Sequence, residues 1–115
     1  MISFIEESML LRLEESKMPK GHKEQDIQTS IINYIKSIGG LPIKQNQIGI
    51  DAQAGVPDII ACIKGKFVAI EVKRPGQKPK PIQYAFIDAI NKCGGIAFWA
   101  DNLDIVKEKI RAIYK

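Results

Sequence analysis

At 115 residues and 12.8 kDa the chain has room for one domain with a real core, and is small enough to gain from dimerising. Its 45% hydrophobic and 26% charged content is that of a soluble globular protein, and no apolar run reaches the roughly 18 residues of a membrane span. The formal net charge of +4 is localised: Lys73, Arg74, Lys78 and Lys80 lie in one stretch without an acid, and the other cations equal the 13 acids in number.

A local basic patch is the electrostatic footprint expected for a phosphate backbone, although a solvated basic loop fits the patch taken alone equally well. The start, Met1-Ile-Ser-Phe-Ile-Glu-Glu, lacks the basic region and apolar core of a secretory signal. Cys62 and Cys93 lie far apart, with no CxxC or Cys/His companion. Free thiols in a reducing cytoplasm are therefore expected, rather than a disulfide or a zinc site.

Residues 2–17 read as an amphipathic helix with Ile2, Ile5, Met9, Leu10 and Leu13 on one stripe. This helix is an extension of some twenty residues on a single domain spanning 1–115, and its stripe serves either a dimer or intramolecular packing. Pro19-Lys20-Gly21 interrupts it, and His22 is read as a solvated residue at the next helix start. From about 23 to 38, Ile27, Ile31, Tyr34, Ile35 and Ile38 recur with a helical period, and Gly39-Gly40 ends the helix.

The period then changes to two. Leu41 to Ile48 reads as a strand, followed by a loop from Gly49 to Gly55. Ile59 to Ile63 and Lys66 to Lys73 are apolar, β-branched runs separated by Lys64-Gly65, which predicts a hairpin. The proline-rich stretch from Pro75 to Pro81 excludes regular structure, and Pro81 is placed to begin a helix that runs to about Lys92. After Gly94-Gly95, Ile96 to Ala100 forms a short buried strand, and Asp101 or Asn102 caps a last helix to Tyr114. The expected order is α-α-β-β-β-α-β-α, an α/β domain layered around one mixed sheet.

Chemistry concentrates at Pro57-Asp58 and Glu71-Val72-Lys73. Side chains two apart on a strand share a face, so Glu71 and Lys73 point one way while Val68, Ile70 and Val72 face the core. If Lys64-Gly65 is a two-residue turn, Ile63 pairs with Lys66 and Asp58 falls opposite Glu71, with Cβ atoms roughly 4.5–5.5 Å apart. Two carboxylates so placed repel each other, and a divalent cation resolves the conflict. Lys73 adds a compact positive charge able to activate water or to neutralise developing negative charge. A surface cluster that only forms salt bridges is the plain alternative.

Glu24, one turn before Ile27 and Gln28, is placed either to reach the site through water or simply to favour a helix N-terminus. Gln83 lies in the first turn after Pro81, where an anion such as phosphate is favoured.

The text Gly55-Val56-Pro57-Asp58-Ile59-Ile60, then Ala69-Ile70-Glu71-Val72-Lys73, then Gln83, with Glu24 on a preceding helix, resembles the virus-type replication-repair nuclease (VRR-NUC) family. That family falls within the PD-(D/E)XK nuclease superfamily, and the resemblance spans roughly residues 22–100. It implies a restriction-endonuclease-like fold, a mixed sheet flanked by helices. It also implies that Asp58, Glu71 and the main-chain carbonyl of Val72 hold Mg²⁺ or Mn²⁺. Lys73 would then position and activate water, Gln83 would orient it or touch phosphate, and Glu24 would support the metal shell.

Stand-alone chains of this size are similar to phage proteins and to Holliday junction resolvases that act as homodimers on branched DNA. The resemblance thus implies a DNA endonuclease of a bacterial or phage-infected cytoplasm, with Arg74, Lys78 and Lys80 on the DNA backbone and no membrane partner. Two rivals stand beside it. One is a non-catalytic nucleic-acid-binding module, which would gain from losing the acids. The other is a sequence-specific restriction enzyme, whose base-reading parts are hard to fit into 115 residues.

Overall fold

A computed structural model of the chain describes residues 23–45 and 54–114. The expected helix over 2–17, its stripe and His22 lie outside the described residues, as does the end of the expected strand beyond Gln45.

Among the described residues the order is α1 (Lys23–Ser37), β1 (Leu41–Lys44), β2 (Ile59–Ile63), β3 (Lys66–Val72), α2 (Pro81–Lys92), β4 (Ile96–Ala100) and α3 (Leu103–Arg111). The four strands form one mixed sheet in the order β1-β2-β3-β4, antiparallel except for the parallel β3–β4 pair. The α/β mixed-sheet architecture and the order of elements are those read from the sequence.

Boundaries differ in small ways. β3 ends at Val72 rather than Lys73, although Lys73 N still donates to Ala100 O at 2.9 Å. The last helix is α-helical only to Arg111, and Ala112–Tyr114 tighten into a 3₁₀ turn, as helix ends often do. Asn102 is the cap, its side chain accepting from Ile105 N at 3.0 Å.

Strand parity divides the sheet into two unlike faces. Ile59, Ala61 and Ile63 of β2, Val68, Ile70 and Val72 of β3, and Phe98 and Ala100 of β4 pack with Ile31 and Ile35 of α1 and with Val106 and Ile110 of α3. This is the main core, and it explains why α1 carries isoleucines four apart. α2 lies on the opposite face over β3 and β4, where the small Ala69 and Ala97 are buried. Asn91 pins it there, its side chain accepting from Ala97 N at 2.8 Å and donating to Ala97 O at 2.9 Å.

The hairpin turn is the two-residue one expected. Lys64 and Gly65 both have positive φ, 52° and 76°, which matches the twist of the flanking strands. Ile63 pairs with Lys66 and Ile59 with Ile70, so the register that places Asp58 beside Glu71 is the one formed.

Candidate active site

Asp58 and Glu71 meet at the end of the β2–β3 hairpin. Asp58 is half-buried just before β2, and its Oδ2 accepts from Val72 N at 2.9 Å. That bond ties the aspartate to the strand carrying Glu71 and Lys73. Gln45 N donates to Asp58 O at 2.7 Å, which holds the same residue from the β1 side.

Glu71 is buried, with 2% of its surface exposed. Its Oε1 accepts from Gln83 Nε2 at 2.8 Å and lies 3.4 Å from Lys73 Nζ. Its Oε2 is buried and has no hydrogen-bond partner among the described residues. Burial, and next the charge of Asp58, push the Glu71 carboxyl up from 4.5 to about 7; Lys73 pulls the other way. A buried acceptor without a donor is costly. Both observations set Glu71 apart from an ordinary surface carboxylate.

Gln83 is positioned by the start of α2. Pro81 is the first helical residue, and Lys80 precedes it in extended conformation. Gln83 Oε1 accepts from Lys80 N at 2.7 Å, so one end of the amide caps the helix while the other end donates to Glu71. Sequence reading places an anion near Gln83; the anion that it touches is the Glu71 side chain itself. Spacing along the chain cannot give that contact, because it depends on how α2 docks on the sheet.

The basic stretch leaves the site directly. Arg74, Lys78 and Lys80 are exposed, and a turn at Pro75-Gly76 is closed by Gln77 N donating to Arg74 O at 3.1 Å. The Gln77 amide oxygen, turned towards Arg74, accepts from its Nη2 at 2.7 Å and its Nε at 3.0 Å. Pro79 is buried and anchors the loop ahead of α2.

Glu24 is half-buried in the first turn of α1. Among the described residues no three Asp, Glu, His or Cys side chains gather into a group that could hold a metal ion directly. Gln28, one turn further along, is 6% exposed, and its Oε1 has no partner among the described residues. Its signal in the sequence is an amide on the same helical stripe as Ile31 and Ile35. Cys62 and Cys93 are free thiols, as expected. No described helix is long and apolar enough to cross a membrane.

The fold resembles that of known solved structures. Two solved structures described as "VRR_NUC domain" and "VRR_NUC domain protein" superpose with TM-scores of 0.64 and 0.62, at 24% and 23% identity. The first match covers 77% of this chain and 95% of that one; the second covers 78% and 86%. The chain therefore has the VRR_NUC fold, and the resemblance carried by its motif text is met by its architecture. In sequence it is 36% identical over 62 residues to "Putative nuclease p44" of Acyrthosiphon pisum secondary endosymbiont phage 1. That match takes in 53% of this chain and 63% of the phage protein, under two thirds of that relative's length. No protein-family model matches the chain.

Proposed function

We propose that the chain is a divalent-metal-dependent DNA endonuclease of the VRR-NUC type that acts as a homodimer on branched DNA such as four-way junctions or flaps. The observation that carries this reading is the state of Glu71: buried, one oxygen held by Gln83 and Lys73, the other without a donor among the described residues, and Asp58 alongside. A hard cation fits this donor set, since carboxylate oxygens are what Mg²⁺ and Mn²⁺ prefer. Asp58, Glu71 and the main-chain carbonyl of Val72 would hold it.

When bound, such an ion supplies Lewis acidity and lowers the pKa of water. Lys73, on the same strand face as Glu71, neutralises charge that builds on the phosphate and helps to orient the attacking water. Gln83 holds Glu71 in place, and the second N–H of its amide would orient the water or touch phosphate. Glu24 supports the metal shell from α1 through water. In the reaction, water oxygen forms the new bond to phosphorus and gives up one proton, the bond to the leaving sugar oxygen breaks, and that oxygen takes up a proton.

Arg74, Lys78 and Lys80 hold the DNA backbone without reading bases, so binding is sensitive to salt and weakly selective for sequence. Selectivity for structure comes from two sites related by a two-fold axis.

The test is a cleavage assay on a labelled four-way junction, a flap, linear duplex and single strands, with Mg²⁺ or Mn²⁺. Metal-dependent cutting of the branched substrates is expected, with a loss of roughly 10²-fold or more in Glu71→Ala and Lys73→Ala. Binding without cutting under every condition would defeat the reading.

A further inference from the structure

One apolar sheet face lacks a covering partner among the described residues, and the sequence tethers an apolar stripe to it. The first is half a sheet face. α2 covers β3 and β4 on its side of the sheet, and among the described residues no element packs over β1 and β2 there. The cross-strand row Leu41–Cys62–Phe67 and the neighbouring row Ile43–Ile60 lie on this side. Leu41 is 65% exposed, Ile43 53% and Phe67 48%; Cys62 is also exposed. No charged side chain of β1 or β2 points this way, because Lys44 falls on the opposite parity. An uncharged apolar patch is a docking surface for apolar side chains and not for a phosphate backbone.

The second surface is the stripe of Ile2, Ile5, Met9, Leu10 and Leu13, in residues outside the described part of the chain. We propose that residues 2–17 seat this stripe on the bare half-face of β1 and β2. Size and reach both allow it. From Ile2 to Leu13 a helix rises about 17 Å, and the five residues of β2 extend about 17 Å.

α1 turns back into β1 through three residues, so Lys23 lies towards the Lys44 end of the edge strand. The steps from Lys17 to Lys23 span up to about 20 Å, enough to round β1 to the other face. A tethered segment also meets the face at an effective concentration in the millimolar range, far above that of a second molecule. Pro42 and Lys44 on the edge strand disfavour sheet extension by another copy. The inference does not depend on the nuclease reading.

Cys62 is a built-in reporter. In the full chain carrying Cys93→Ser, the rate of iodoacetamide alkylation of Cys62 is compared with and without Leu10→Asp/Leu13→Asp. The expected result is alkylation about tenfold faster in the Asp variant, with a parent rate independent of protein concentration. Equal rates would overturn the proposal. So would a parent rate that slows as protein concentration rises, since a second copy would then be the cover.

A cross-linking arm stands even if the Asp variant folds poorly. With Leu10→Cys in the Cys93→Ser chain, oxidation should join it to Cys62 within one molecule, and Glu7→Cys, on the other side of the helix, should not. Bonds formed only between molecules, equally from both positions, or from neither, would overturn it.

Discussion

Glu71 sets the terms at the scale of single residues. Its carboxyl is raised from 4.5 to about 7 by burial and by Asp58, against the pull of Lys73. A folded-state pKa above the unfolded one means that the folded protein binds the proton more tightly. The contribution to stability is therefore present below pH 4.5 and lost as pH rises through about 7. Without divalent cation, the melting temperature should fall between these pH values, and Glu71→Gln should flatten the fall. A divalent cation should restore stability at the upper end, because it binds the ionised form. A melting temperature that is flat across this range in metal-free wild type would show that Glu71 titrates normally.

The Asp58–Glu71 pairing was legible in the sequence, since strand parity and a two-residue turn are local rules. The Asp58 bond to Val72 N and the Gln83 bond to Glu71 were not legible. They depend on a bend before β2 and on the docking of α2.

Among elements, α2 and the loop before β2 have to fit each other closely. Gly55 has φ of +88°, and a Cβ there would lie 2.9 Å from Ile82 Cγ1, 2.9 Å from Phe86 Cδ2 and 3.0 Å from Ile82 O. The last contact is with backbone, which cannot swing aside. Gly55→Ala should thus cost about 1–3 kcal/mol through backbone strain, read as a lower urea midpoint. It should also weaken cleavage, because Pro57 and Asp58 follow directly. An unchanged midpoint would mean that the loop moves freely from α2.

Element positions were predictable from period and punctuation; their ends were less so. β3 stops one residue early because the chain bends into the Arg74–Gln77 turn. The last helix tightens where Tyr114 reaches across, its hydroxyl donating to Ile38 O at 3.3 Å and its ring lying 4.5 Å from Lys64 Nζ. Such contacts join residues far apart in the chain and leave no trace in local pattern.

At the scale of the molecule, the spatial order of the described strands is also their order along the chain. Every antiparallel pair is therefore made by neighbours in sequence, and only β4 must wait for the α2 connection to close. Assembly should begin in the β1-β2-β3 meander, where loop closure costs least entropy. Val68→Ala, in the middle of that meander, should slow refolding, whereas Val106→Ala in α3 should chiefly speed unfolding, as stopped-flow chevrons would report. The reverse pattern would place the nucleus at the other end of the chain. On this route Asp58 and Glu71 are forced together before Gln83 arrives to hold one of them. The late-docking helix thus joins a pair of acids already in place, so their mutual repulsion is a cost that the meander carries before α2 arrives.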